Sequence, residues 1–309
     1  MRQSIVLLTV VLYCFAFQNM GLAQSLLAEA QPPRPDIVLI QFGGYTGPVA
    51  CRPFGSCNWY EWENSGIEQE IRAVAAELGQ SILVRGYSGY FVRHYSPVTE
   101  KEELGLEDAL KDMDWAKAHW PGTQYIVASG SQGSVFSHLL VAANPDVVFR
   151  YLIDLDGLCG AWNMVLQDFE KMVVPTDPER YRYVTEKIKP YLRADLCVPK
   201  TVLGIPGTRH TFADLIPWHV TYNLEVRPAF VSHNRPYPPD TPVDAMSIDI
   251  FPNIRENGSR VNIYRLIDTM GTHNHLKEPG QMSVQWVGET IRSIEQGEAV
   301  PQRTTTRRQ

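Results

Sequence analysis

Nowhere in its 309 residues does the chain offer the roughly 20 consecutive apolar residues that a bilayer-spanning helix needs. The run "IVLLTVVLYCFAF", Ile5 to Phe17, stops at 13 residues, which excludes a stable membrane span. No cluster of Lys and Arg interrupts a formal net charge of −6, so charge argues against a nucleic-acid partner. There is no C-x-x-C pair, and no histidines stand at ligand spacing around the cysteines, which argues against a structural zinc site or other metal centre. Internal repeats are absent. Cysteine itself is sparse, at 5 of 309 residues.

What is present begins with a leader pattern. Met-Arg-Gln precedes the short apolar run, and small residues Gly21 and Ala23 follow at cleavage positions, which predicts a secretory signal peptide over residues 1–23 and a secreted or periplasmic protein. Cleavage after Ala23 removes Arg2 and no acidic residue, moving the formal charge from −6 to −7. It also removes Cys14, leaving Cys51, Cys57, Cys159 and Cys197, an even number in an oxidising compartment. Four cysteines allow three pairings; Cys51 with Cys57 and Cys159 with Cys197 is the expected one. Residues 24–34 read as a linker, 35–297 as one domain, and 298–309, with the basic "RTTTRRQ", as a tail without a core.

Within the domain, strand and helix patterns alternate. "PDIVLIQFGG" from Pro35 is a continuous apolar run ending in two glycines, as in a strand buried on both faces. "SGIEQEIRAVAAELG" then places Ile67, Ile71, Val74, Ala75 and Leu78 on one helical face, with Ser65 and Glu68 spaced as a capping box. "SILVRGY", "LEDALKDMDWAKAHW", "TQYIVAS", "SVFSHLLVAA" and "VFRYLIDLDG" continue the alternation. The order predicts an α/β fold, a mostly parallel central sheet with helices on both faces. Between about 158 and 227 the strand pattern lapses into helical segments, read as a lid insertion. It resumes with "PAFVSHN" and "VNIYRLID", and a helix with Val284, Val287, Ile291 and Ile294 on one face closes the domain.

Chemistry concentrates in "VASGSQGSV", residues 127–135. Residues 129–133, S-G-S-Q-G, match G-x-S-x-G except that Ser129 stands in place of the first glycine. A strand before and a helix after make this a nucleophile elbow. Its sharp turn exposes the Ser131 hydroxyl beside backbone N–H groups able to hold an oxyanion.

From the "IVLIQFGG" strand through the "SGSQG" elbow to the late "TMGTH" segment, the chain resembles the α/β-hydrolase superfamily, in its lipase and esterase branches. The resemblance implies the chain order serine, acid, histidine. It places the histidine after the last strand, at His273 with His275 as the alternative, and the acid at Asp240 in "RPYPPDTPVDAM", with Asp156 as main rival and Asp154 and Asp244 behind. The oxyanion hole would combine the N–H of Gln132 with the "FGGYTG" turn, through Gly44 and Tyr45. The implied activity is cleavage of a small-molecule or lipid carboxylic ester through an acyl-enzyme, with no cofactor. The competing reading is an inactive, secreted binding protein on the same fold, consistent with Ser129 at the elbow and the open choice of acid.

Overall fold

The computed structural model describes residue 27 and residues 32–44, 65–96, 101–157, 159, 162–173, 178–198, 200–201, 209–232, 235–236, 252–272 and 275–301. Six strands form the body of the main sheet: β1 (Ile37–Phe42), β2 (Ile82–Tyr87), β3 (Gln124–Gly130), β4 (Phe149–Leu155), β5 (Val220–Ser232) and β6 (Ile263–Thr272). They lie in the order β2-β1-β3-β4-β5-β6 and every pairing is parallel. A two-residue segment, Arg235–Pro236, adds to β5 in the antiparallel sense. The helices are α1 (Gly66–Glu77), α2 (Leu106–His119), α3 (Gly133–Ala142), α4 (Trp162–Val173), α5 (Pro178–Ile188) and α6 (Met282–Glu295).

β1 shows why its sequence is apolar throughout. Its alternate residues feed two cores: Val38, Ile40 and Phe42 pack towards α2, α3 and the helices after β4, while Ile37 and Leu39 pack towards α1 and α6. A strand with helices on both faces has no solvated side for polar residues. Ser65 caps α1 as its spacing suggested, its hydroxyl accepting from the Glu68 N–H at 3.1 Å. Arg292 of α6 ties that layer together, donating to Glu70 and to Glu77 on α1 at 2.7 Å each.

The insertion between β4 and β5 is docked rather than free-standing. Phe169 of α4 stacks on Phe91 with centroids 4.3 Å apart, and Tyr183 and Lys187 of α5 both donate to Asp114 of α2. The Cys159–Cys197 disulfide ties the start of the segment to the stretch after α5, while Cys51 and Cys57 lie outside the described residues. The insertion is shorter than the sequence suggested. β5 already begins at Val220, eight residues before the expected "PAFVSHN" strand. Asn223, Glu225 and Arg227 break its apolar pattern, yet all three are buried. Among the described residues, no helix is long and apolar enough to cross a membrane.

Candidate active site

The elbow is built by the junction of β3 and α3. Ser131 sits between them with φ +55°, a left-handed conformation that a non-glycine residue adopts only under constraint. The constraints are visible on both sides. The Ser131 N–H donates to the Leu155 carbonyl of β4 at 3.2 Å, and the Ser131 carbonyl accepts from the Ser134 N–H at 3.1 Å.

Two glycines make room for this turn. A Cβ on Gly133 would stand 2.5 Å from the carbonyl oxygens of Phe42 and Gly43, so only glycine lets the start of α3 touch the end of β1. Gly44 lies over Ser131, where a Cβ would come 3.1 Å from Ser131 Cβ and 3.4 Å from its Oγ. The end of β1 is thereby pressed onto Ser131, and Gln132 leads directly into α3, at whose N-terminus N–H groups gather positive potential. Tyr45, the other expected contributor to the turn, lies outside the described residues.

The histidine-bearing segment after β6 is anchored on α1 and α6. The Gly66 N–H donates to the Lys277 carbonyl at 2.7 Å, and the Ser283 hydroxyl of α6 donates to the Leu276 carbonyl at 2.6 Å. His275 lies there, its Nε2 3.7 Å from Glu278 Oε1. His273 lies outside the described residues, as do Asp240 and Asp244.

Asp156 follows β4 at φ +47° and is fully buried, its N–H donating to the Val226 carbonyl at 2.7 Å. Its carboxylate faces a cation: Arg227 Nη1 is 3.8 Å from Asp156 Oδ1. The same guanidinium reaches Asp214 at 3.5 Å and Glu225 at 2.8 Å, and donates to the Gly157 carbonyl at 3.2 Å. Glu225 also faces Arg265, 3.4 Å away, whose guanidinium burial pushes below the usual arginine range while Glu225 opposes the shift. Asp154, one register row earlier on β4, accepts from Asn223 at 2.8 Å and from Asn253 at 2.9 Å, with His138 Nε2 3.4 Å away.

This buried polar layer was not anticipated from the sequence. Its signal was the alternation of Asn223, Glu225 and Arg227, which puts three polar side chains on one face of β5. The sequence pattern places these residues in the insertion, whereas the register with β4 and β6 places them in the sheet. Asn253 belongs to the layer through contacts 99 residues distant from Asp154, which no local pattern reveals.

No family model matches the sequence, and no curated protein matches it. Solved structures similar to the chain include mouse alpha/beta hydrolase domain-containing protein 10, at 14% identity over 84% of this chain and 90% of that one, with a TM-score of 0.39. Est1E from Butyrivibrio proteoclasticus is 15% identical over 87% of this chain and 90% of its own, with a TM-score of 0.38. The esterase of Pyrobaculum calidifontis is 12% identical over 85% of this chain and 76% of its own, also with a TM-score of 0.38. In the order of its six parallel strands, and in the serine turn between β3 and α3, the chain has the α/β-hydrolase fold.

Proposed function

We propose that the protein is a secreted serine hydrolase of carboxylic esters. The observation that carries this reading is Ser131 itself, a non-glycine residue at φ +55° at the head of a parallel strand, with Gly44 against its side chain. A serine in an ordinary polar turn has no need of that strained geometry.

In the proposed reaction Ser131 Oγ attacks the ester carbonyl carbon while His273 takes the hydroxyl proton. The carbonyl π electrons move onto oxygen, where the N–H of Gln132 and the turn at Gly44 and Tyr45 hold them. Collapse expels the alcohol, protonated by the histidine, and leaves an acyl-Ser131. Water, deprotonated by the same histidine, then releases the acid. Asp240 orients the histidine and steadies its positive form; Asp156 is the second candidate, and its pairing with Arg227 weighs against it. His275 is the alternative base.

Residues 1–23 act as the export signal in this reading, giving a mature N-terminus at Gln24. In this reading the substrate is a small-molecule or lipid ester, and the segment between β4 and β5 serves as its lid. Turnover of p-nitrophenyl esters of increasing chain length tests the proposal. Hydrolysis that disappears in Ser131→Ala supports it; no turnover at any chain length, or turnover that survives Ser131→Ala, overturns it.

A further inference from the structure

Ser129 occupies the place where the elbow pattern has glycine, and its side chain is fully buried. It is not a passive small residue. Ser129 and Asp154 are register partners on β3 and β4, and Ser129 Oγ lies 3.3 Å from Asp154 Oδ1. The same oxygen is 2.9 Å from Ser137 Oγ and 3.3 Å from Ser134 Oγ, in the first turns of α3. Ser137 in turn donates to the Ser134 carbonyl at 2.9 Å.

A carboxylate only accepts, so Ser129 is the donor at the Asp154 contact, and its one hydroxyl proton is shared between Asp154 on β4 and the Ser134 and Ser137 hydroxyls of α3. Asp154 is itself held by Asn223, Asn253 and His138. The result is a buried clasp that joins the last turn of β3 to the first turns of α3 and so encloses Ser131 from behind. A left-handed serine is strained and persists only where its surroundings over-determine it. The backbone bonds of Ser131 to Leu155 and Ser134 supply part of that constraint.

We propose that Asp154, acting through the Ser129 hydroxyl, is a positioning residue for the Ser131 nucleophile. The inference rests on the serine-hydrolase reading for its kinetic consequence, but not for its structural one. It predicts that glycine, the residue the elbow pattern has at this place, is the wrong residue in this protein.

The test uses Ser129→Gly, Ser129→Ala, Asp154→Asn and the double variant Ser129→Ala/Asp154→Asn. Three readouts are taken: steady-state kinetics on a p-nitrophenyl ester, the rate of labelling by a fluorophosphonate, and amide hydrogen exchange of the peptide over 127–136. Both Ser129 variants should lose about tenfold in kcat and in labelling rate at unchanged KM, the scale of a slightly misplaced reacting group. Exchange should quicken in the elbow peptide and stay unchanged elsewhere. The double variant should be no slower in kcat than Ser129→Ala, because Asp154 acts through that hydroxyl. Wild-type kcat and elbow exchange in both Ser129 variants overturn the proposal, and so does faster exchange throughout the chain, which marks a purely structural role. Asp154→Ser stands in for Asp154→Asn, alone and in the double variant, if the latter does not fold, and a double variant slower than Ser129→Ala overturns the role of Asp154. A wild-type protein that neither turns over ester nor takes the label overturns the hydrolase reading instead; elbow exchange in Ser129→Ala then still decides whether the clasp holds the turn.

Discussion

Gly44 lies against Ser131 so closely that a Cβ at residue 44 would stand 3.1 Å from Ser131 Cβ and 3.4 Å from Oγ. Gly44→Ala must therefore displace the serine side chain by a few tenths of an ångström or tilt the turn at the end of β1. The substitution should lower the rate of ester turnover by about tenfold while shifting the urea midpoint little. Wild-type turnover in Gly44→Ala would remove that turn from the oxyanion hole.

Gly133→Ala should act differently, on stability. Its Cβ would meet the Phe42 and Gly43 carbonyl oxygens at 2.5 Å, and both belong to backbone that cannot swing aside. The expected loss is about 3 kcal/mol, at the upper end of overpacking costs, read from urea unfolding. A loss under about 1 kcal/mol would mean that β1 and α3 separate more readily than their packing implies.

Arg227 is the buried cation shared by Asp156, Asp214 and Glu225. Arg227→Met leaves those carboxylates without it and should cost about 3–5 kcal/mol, the usual scale for breaking a buried ion pair from one side. Arg265 still faces Glu225 at 3.4 Å and acts on Asp214 at longer range. An unchanged unfolding midpoint would show that the cluster holds its charge without Arg227.

Tyr125 carries a buried hydroxyl with no hydrogen-bond partner among the described residues, and burial pushes its pKa up to about 12. Tyr125→Phe removes an unsatisfied polar group and should stabilise the protein by about 1 kcal/mol near neutrality. The pH dependence follows from the direction of the shift. A raised folded pKa means the tyrosine's contribution is fully present below its unfolded pKa near 10 and is lost as pH rises through the folded value. The advantage of Tyr125→Phe should therefore widen between pH 8 and 11 in urea titrations. A constant or shrinking advantage contradicts the burial.

The architecture was legible in the sequence because each element carries its own periodicity. β1 is apolar on both faces, α1 has a marked start at Ser65, and Ser131 sits where strand pattern turns to helix pattern. β5 was misjudged at its start because its polar residues point into a buried layer instead of into solvent. That layer joins Ser129, Asp154, Asn223 and Asn253 from four separated stretches of chain. Only the register of the folded sheet brings them together, so local pattern could show Ser129 as a departure from glycine but not what the departure does.

A fluorophosphonate probe with peptide mapping asks directly whether Ser131 is the nucleophile. The expected result is a single covalent adduct on Ser131, absent from Ser131→Ala. No adduct on the folded wild-type protein, or equal labelling of Ser131→Ala, would contradict it.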